Sequence, residues 1–131
     1  GGWGVAESGI LISTSGGGQM YLQIDGANQR GYFDYSLVVS VNQWHHIAIV
    51  FNGVGIGNTG RLQCYVDSAP VTLAYDGTIP AATDDLSGVD ATIGRGAAAF
   101  DGLLDAFAIY SVALTQIQVA DLYARTGQGR I

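Results

Sequence analysis

Thr92-Ile93-Gly94-Arg95 and Phe100-Asp101-Gly102-Leu103-Leu104-Asp105-Ala106-Phe107-Ala108-Ile109-Tyr110, closed by Ala113-Leu114-Thr115-Gln116-Ile117 and then Leu122-Tyr123, form the stretch whose reading decides the fold. Two β-type segments joined by a Gly-rich turn run into one helix. Thr115 with Gln118 three residues on fits a capping box, in which each side chain satisfies the other residue's backbone amide. Ile117, Ala120 and Leu122-Tyr123 give that helix, expected over residues 115 to 124, one apolar edge. Gly94-x-Gly96 has no helix N-terminus behind it, so it reads as a β-turn rather than a phosphate loop.

Upstream, strand signals follow one another at short intervals. Trp3 to Ser13 reads as a strand that Gly16-Gly17-Gly18 turns into a hairpin with Gln19 to Ile24, and Asp25-Gly26 marks the next turn. From Arg30 to Val39, Tyr32, Asp34 and Ser36 alternate against Phe33, Tyr35 and Leu37, the period of a half-buried strand. Trp44 to Phe51 is apolar on both alternations, as a central strand covered on both faces would be. Asn52 to Gly60 is a Gly-rich loop, Arg61 to Val66 pairs back, and Asp67-Ser68-Ala69-Pro70 turns into Val71 to Ala74. Residues 75 to 90 hold Pro80 with Asp84, Asp85 and Asp90 and make the longest loop, the kind of segment where binding concentrates on a β scaffold.

A chain of 131 residues with 20 glycines and runs of Val, Ile, Leu and Tyr fits one domain of many short strands. The expected fold is all-β, an antiparallel two-sheet jelly-roll sandwich with one short C-terminal helix. The net charge of -6, from eleven acidic and five basic residues, repels phosphate backbones and anionic headgroups, so nucleic acid is a poor partner. No apolar run approaches the ~20 residues of a membrane span, and no charged-then-apolar leader precedes the fold, so membrane insertion is not expected and any export signal would lie upstream. The single Cys64 sits in an alternating segment and reads as a small core residue.

Trp44-His45-His46-Ile47-Ala48-Ile49-Val50-Phe51-Asn52-Gly53, the strand Leu62 to Asp67 and the ending quoted above resemble, in that order, laminin G-like (concanavalin A-like, pentraxin-related) jelly-roll domains. The resemblance implies structural roles for Trp44, for a hydrogen-bonded His46, and for Asp101 and Asp105, the latter bonding nearby backbone amides. It also implies a binding module more often than a catalyst. Ser68 stands where such domains usually carry a glycine, which implies a longer or differently bent turn. Relatives normally begin with one or two strands ahead of the segment that opens here at Gly1-Gly2-Trp3, so the resemblance implies a domain lacking them. An open sheet edge near Leu103 to Tyr110 would then invite a homo-oligomer through strand addition.

Adjacent His45 and His46 on a strand would point to opposite faces and cannot share a metal. A glycosidase of this architecture needs paired carboxylates, but Glu7 is the sole glutamate. Asp101 and Asp105, on one strand, would stand about 13 Å apart at ~3.3 Å per residue, beyond the ~5–9.5 Å that glycoside hydrolysis requires. Asp84, Asp85 and Asp90 are candidate calcium ligands, making Ca2+ the one cofactor to consider, with Asp25 and Asn28 a second small oxygen cluster. Tyr32, Tyr35 and Tyr75, with Asn28 and Arg30 close by in sequence, have the chemistry of a sugar platform: an apolar ring with a polar tip. The expectation is a non-catalytic recognition module for carbohydrate or a cell-surface protein, part of a larger extracellular or virion-surface protein. A structural virion, tail-fibre or decoration module stands second, and a divergent glycosidase third.

Overall fold

The computed structural model describes residues 10–25, 28–84, 93 and 101–127. Two antiparallel sheets carry the fold: a four-stranded sheet in the order β1-β2-β3-β7 and a three-stranded sheet in the order β4-β5-β6. The strands are β1 (Ile10–Thr14), β2 (Gln19–Ile24), β3 (Arg30–Asp34), β4 (Ile47–Phe51), β5 (Leu62–Val66), β6 (Ala69–Val71) and β7 (Ala74–Asp76). The chain leaves the first sheet after β3, builds β4 to β6 in the second, and returns as β7 beside β3. This is the crossing pattern of a jelly roll, as the strand and turn signals lead one to expect.

Period-2 alternation supplies the core. Met20, Leu22 and Ile24 of β2 and Phe33 of β3 point between the sheets, where Leu62, Cys64 and Val66 of β5 meet them with Leu73 and Ile79. Fully burying a Leu, Ile or Val side chain contributes roughly 1.5–3 kcal/mol, so this layer dominates stability. Gly31 sits where the sheets come closest: a Cβ there would lie 3.0 Å from Leu73 and 3.1 Å from Leu62. The other face of the second sheet is covered by α2 (Gln116–Gly127), whose Val119 packs with Val50 and Tyr65. The capping box is present, with Thr115 N–H donating to Gln118 Oε1 at 2.9 Å and Gln118 N–H donating to Thr115 Oγ1 at 3.3 Å. The buried helix residue is Val119, however, and Ile117 faces solvent.

Several expected boundaries move, each for a local reason. The strand from Arg30 stops at Asp34 rather than Val39, because Asp34 Oδ1 accepts from Ser36 N–H at 3.0 Å and from its hydroxyl at 2.6 Å, winding Tyr35–Leu37 into a 3-10 turn. The strand from Trp44 begins only at Ile47, and among the described residues β4 is an edge strand paired with β5 alone. Upstream of it, Asn42 at φ 60 bends the chain and His45 ties it back to Ser40, leaving Trp44 58% exposed rather than in the core. The Asn52 to Gly60 loop winds into the short helix α1 (Gly57–Arg61), which takes Arg61 from the expected strand and is locked down by Asn58, whose amide donates to Gly77 O and whose Oδ1 accepts from Ile79 N–H. Arg61 completes the lock by donating to Gly55 O and Ile79 O. Residues 101–110 are exposed and form no strand, so the expected edge strand at Leu103 to Tyr110 is not seen there. The expected strand from Trp3 lies outside the described residues as far as position 9, as do the Gly94-x-Gly96 turn and the ends of the Gly-rich connection.

Candidate functional site

The outward face of the four-stranded sheet carries a cluster of aromatic and planar polar side chains. Register places it: Tyr21 pairs with Tyr32 across β2 and β3, Gln23 with Arg30, and Arg30 in turn with Asp76 across β3 and β7. The Tyr21 and Tyr32 rings lie 5.6 Å apart at 38°. Arg30 Cζ sits 4.6 Å from the centre of the Tyr21 ring, within cation–π range. Its Nη2 donates to Asp76 Oδ2 at 3.0 Å, and the Tyr21 hydroxyl donates to Gln19 Oε1. With both partners partly exposed, the Arg30–Asp76 pair contributes about 0–1 kcal/mol to folding; it also helps hold the guanidinium beside the tyrosine ring.

Beside this face opens a shallow cleft of about 490 Å³ between the 3-10 turn after β3 and the β6–β7 connection. Tyr32, Leu37 and Val38 form one wall, Pro70 to Ala74 the other, and Asp34 with Gln19 stands at one end. Tyr32 belongs to both features. The cleft lies in the size range of sites that bind small molecules or short oligomers, ~300–1,000 Å³.

Of the residues singled out from the sequence, Tyr32 and Arg30 come together here. Tyr35 does not: it leaves the strand with the 3-10 turn and packs against the core. Tyr75 faces inward, its hydroxyl donating to Leu62 O at 2.9 Å, and burial pushes its pKa up. Asn28 is exposed in the β2–β3 turn. Tyr21, Gln19, Asp34 and Asp76 join Tyr32 and Arg30, and the alternation that singles out Tyr32 puts Tyr21 on its face through the hairpin register.

The structural assignments shift as well. The hydrogen-bonded histidine is His45, not His46: its Nδ1 lies 2.7 Å from Asp67 Oδ2, and its Nε2 accepts from Ser40 N–H at 2.9 Å. Asp67 Oδ1 accepts from the His46 backbone N–H at 2.9 Å. The His46 ring instead stacks toward Tyr123 of α2, with its Nδ1 buried and unpartnered among the described residues. Asp105 Oδ1 accepts from the neighbouring Ala106 N–H at 2.7 Å. Asp101 and Asp105 are exposed and not on a strand, so the same-strand spacing drawn for them does not apply.

For calcium, the described part of the acidic loop offers Asp84, whose N–H donates to Asp25 Oδ2 at 2.8 Å and so draws the two oxygen clusters together. Asp85 and Asp90 lie outside the described residues. Among the described residues no group of three or more His, Cys, Asp or Glu side chains is placed to hold a metal ion. No helix there is long and apolar enough to cross a membrane.

No curated protein matches the chain. Among solved structures, it is similar to an S-layer domain-containing protein (residues 221–444) from Clostridium thermocellum, at 13% identity and a TM-score of 0.51. The match covers 91% of this chain and 65% of that one, so the chain spans less than two-thirds of the neighbour's length. At that identity the likeness speaks for the fold alone, and it agrees with the two-sheet architecture. The sequence itself matches the laminin G-type model of the concanavalin A-like lectin/glucanases superfamily over residues 2–120. Sheet topology, capped helix and sequence pattern thus converge, and the chain belongs to the concanavalin A-like lectin/glucanases superfamily.

Proposed function

We propose that this domain is a non-catalytic carbohydrate-recognition module of an extracellular surface protein. The observation that supports it is the Tyr21–Tyr32 pair with Arg30 and Asp76, set beside an open cleft that shares Tyr32. Sugar rings present a C–H face that packs on aromatic rings and a rim of hydroxyls that planar side chains bind in pairs. The superfamily contains both lectins and glucanases by its name, and the similar S-layer domain-containing protein adds support for a surface location. A glycan array probed with the wild-type domain and with Tyr32→Ala, in calcium and in chelator, tests the reading. Binding that falls at least tenfold in Tyr32→Ala, with the melting temperature kept, is the expected result. An array blank for the folded wild-type domain would overturn it.

A second reading, a module that assembles through protein contacts, is favoured by one observation: Leu103, Leu104, Phe107, Ile109 and Tyr110 fall within one short stretch of the chain and are exposed. Light scattering separates the two. Self-association abolished by Phe107→Asp, with no glycan bound, would move the assignment to assembly.

A further inference from the structure

The charges lining the cleft are as informative as its shape. Of the residues that form it, Asp34 alone is ionisable near neutral pH, and no cation lines it. Arg30, on the neighbouring face, donates through Nη2 to Asp76 Oδ2 and lies 4.6 Å from the centre of the Tyr21 ring, while its Nε has no partner among the described residues. A carboxylate or sulfate entering the cleft would therefore meet a like charge at Asp34 and no cation among the described lining residues. The whole chain, at -6, adds repulsion of the same sign. Asp34 is also prepared as an acceptor. Its Oδ1 is held by the Ser36 amide and hydroxyl, which fixes the carboxylate, while Oδ2 has no donor among the described residues. A fixed carboxylate oxygen beside an apolar wall of Tyr32, Leu37 and Val38 is suited to a ligand with hydroxyl donors on one edge and C–H groups on its face.

Resting on the carbohydrate reading above, we infer that the cleft selects uncharged hexose oligosaccharides over acidic ones, with Asp34 Oδ2 accepting from sugar hydroxyls and the Arg30–Asp76 pair as the device that withholds a cation from anionic glycans. Asp76 sets specificity indirectly, by occupying Arg30. Asp34 touches the ligand.

Titration calorimetry on the whole domain, with short oligomers of glucose, mannose and galactose and with matched galacturonate oligomers, tests the inference. Neutral oligomers bind at least tenfold more tightly than galacturonate. Asp34→Asn lowers neutral-sugar affinity at least tenfold while its amide oxygen still accepts from Ser36, so the melting temperature holds. Leu37→Ala, at a residue 80% exposed and free of folding cost, weakens binding as well. Asp76→Asn releases Arg30 and narrows the gap between neutral and acidic ligands. Galacturonate binding as tight as the neutral sugars, or Asp34→Asn and Leu37→Ala both binding like wild type, would overturn the inference while leaving carbohydrate recognition standing. Failure of every sugar, neutral and acidic, would instead remove the carbohydrate reading and this inference with it.

Discussion

At the scale of single residues, burial rather than reactivity decides what the ionisable side chains do. Cys64 lies on β5 among Met20, Leu22 and Phe33, and desolvation pushes its thiol from 9.0 up to about 12, a backbone hydrogen bond at Tyr65 offsetting part of the rise. A thiolate is the reactive species, so the folded protein should resist thiol reagents at pH 8 and react fully once unfolded. The same shift links folding to pH. Between about 9 and 12 the folded state keeps a proton that the unfolded chain releases, so stability contributed by the neutral thiol is complete below pH 9 and is lost as pH rises toward 12. Tyr75, its pKa also raised by burial, acts in the same direction. Urea midpoints measured from pH 8 to 11 should therefore fall, and Cys64→Ala should fall less steeply. A thiol that is modified in the native state at pH 8 would contradict the buried placement. Assigning Cys64 to the core required nothing beyond its place in Leu62-Gln63-Cys64-Tyr65-Val66, because a single alternating segment fixes which side chains share a face.

Between β5 and β6 the chain turns in two residues, Asp67 at φ 50 and Ser68 at φ 68, with Val66 paired to Ala69. Both central residues in the left-handed region define the tight turn whose twist matches that of the strands, so the serine that stands in place of a glycine leaves the turn short, not longer or differently bent. It does so under strain, which costs a non-glycine residue of order 1 kcal/mol. Ser68→Gly should therefore stabilise the fold by about 0.5–1 kcal/mol, the relief exceeding the added freedom of the unfolded chain; a lower urea midpoint in that variant would show that the serine is not strained. Asp67 has a second task, since its carboxylate accepts from the His46 amide and meets His45 Nδ1, closing the β4 end of the sheet. Asp67→Ala should cost about 2–4 kcal/mol by leaving those donors without an acceptor. These same bonds explain which elements were legible from sequence and which were not. β2, β5 and the capped α2 announce themselves through alternation and a cap that act within a few residues. The early end of β3, the late start of β4 and the exchange of roles between His45 and His46 are set by side-chain bonds to Ser36, Ser40 and Asp67. One of those partners lies more than twenty residues away, where no local pattern reaches. The site was half legible for the same reason: Tyr32 and Arg30 stand out on their strand, but Tyr21 and Asp76 join them only through register.

Across the whole molecule, a charge of -6 is combined with a candidate face whose Arg30 is paired with Asp76. Long-range electrostatics therefore contribute little attraction toward an uncharged ligand and oppose polyanions outright, so on the carbohydrate reading contact would come from short-range packing on Tyr32, Leu37 and Val38 and from directed hydrogen bonds. Such contacts are nearly indifferent to ionic strength, because salt screens interactions between charges separated by about a Debye length, ~10 Å at 0.1 M, and leaves apolar packing intact or slightly strengthened. If the carbohydrate reading holds, affinity for a glycan should accordingly change by less than about threefold across a tenfold rise in sodium chloride, the behaviour of a site that forms no net ion pair. Polyanions such as heparin or duplex DNA should fail to be retained even at low salt, where electrostatic binding is strongest. A steep loss of glycan affinity with salt would mean that ion pairing drives recognition, and it would place Arg30, or an arginine outside the described residues, in contact with an anionic ligand. Salt-insensitive binding that disappears in Tyr32→Ala would instead tie recognition to the aromatic face that the β2–β3 register assembles.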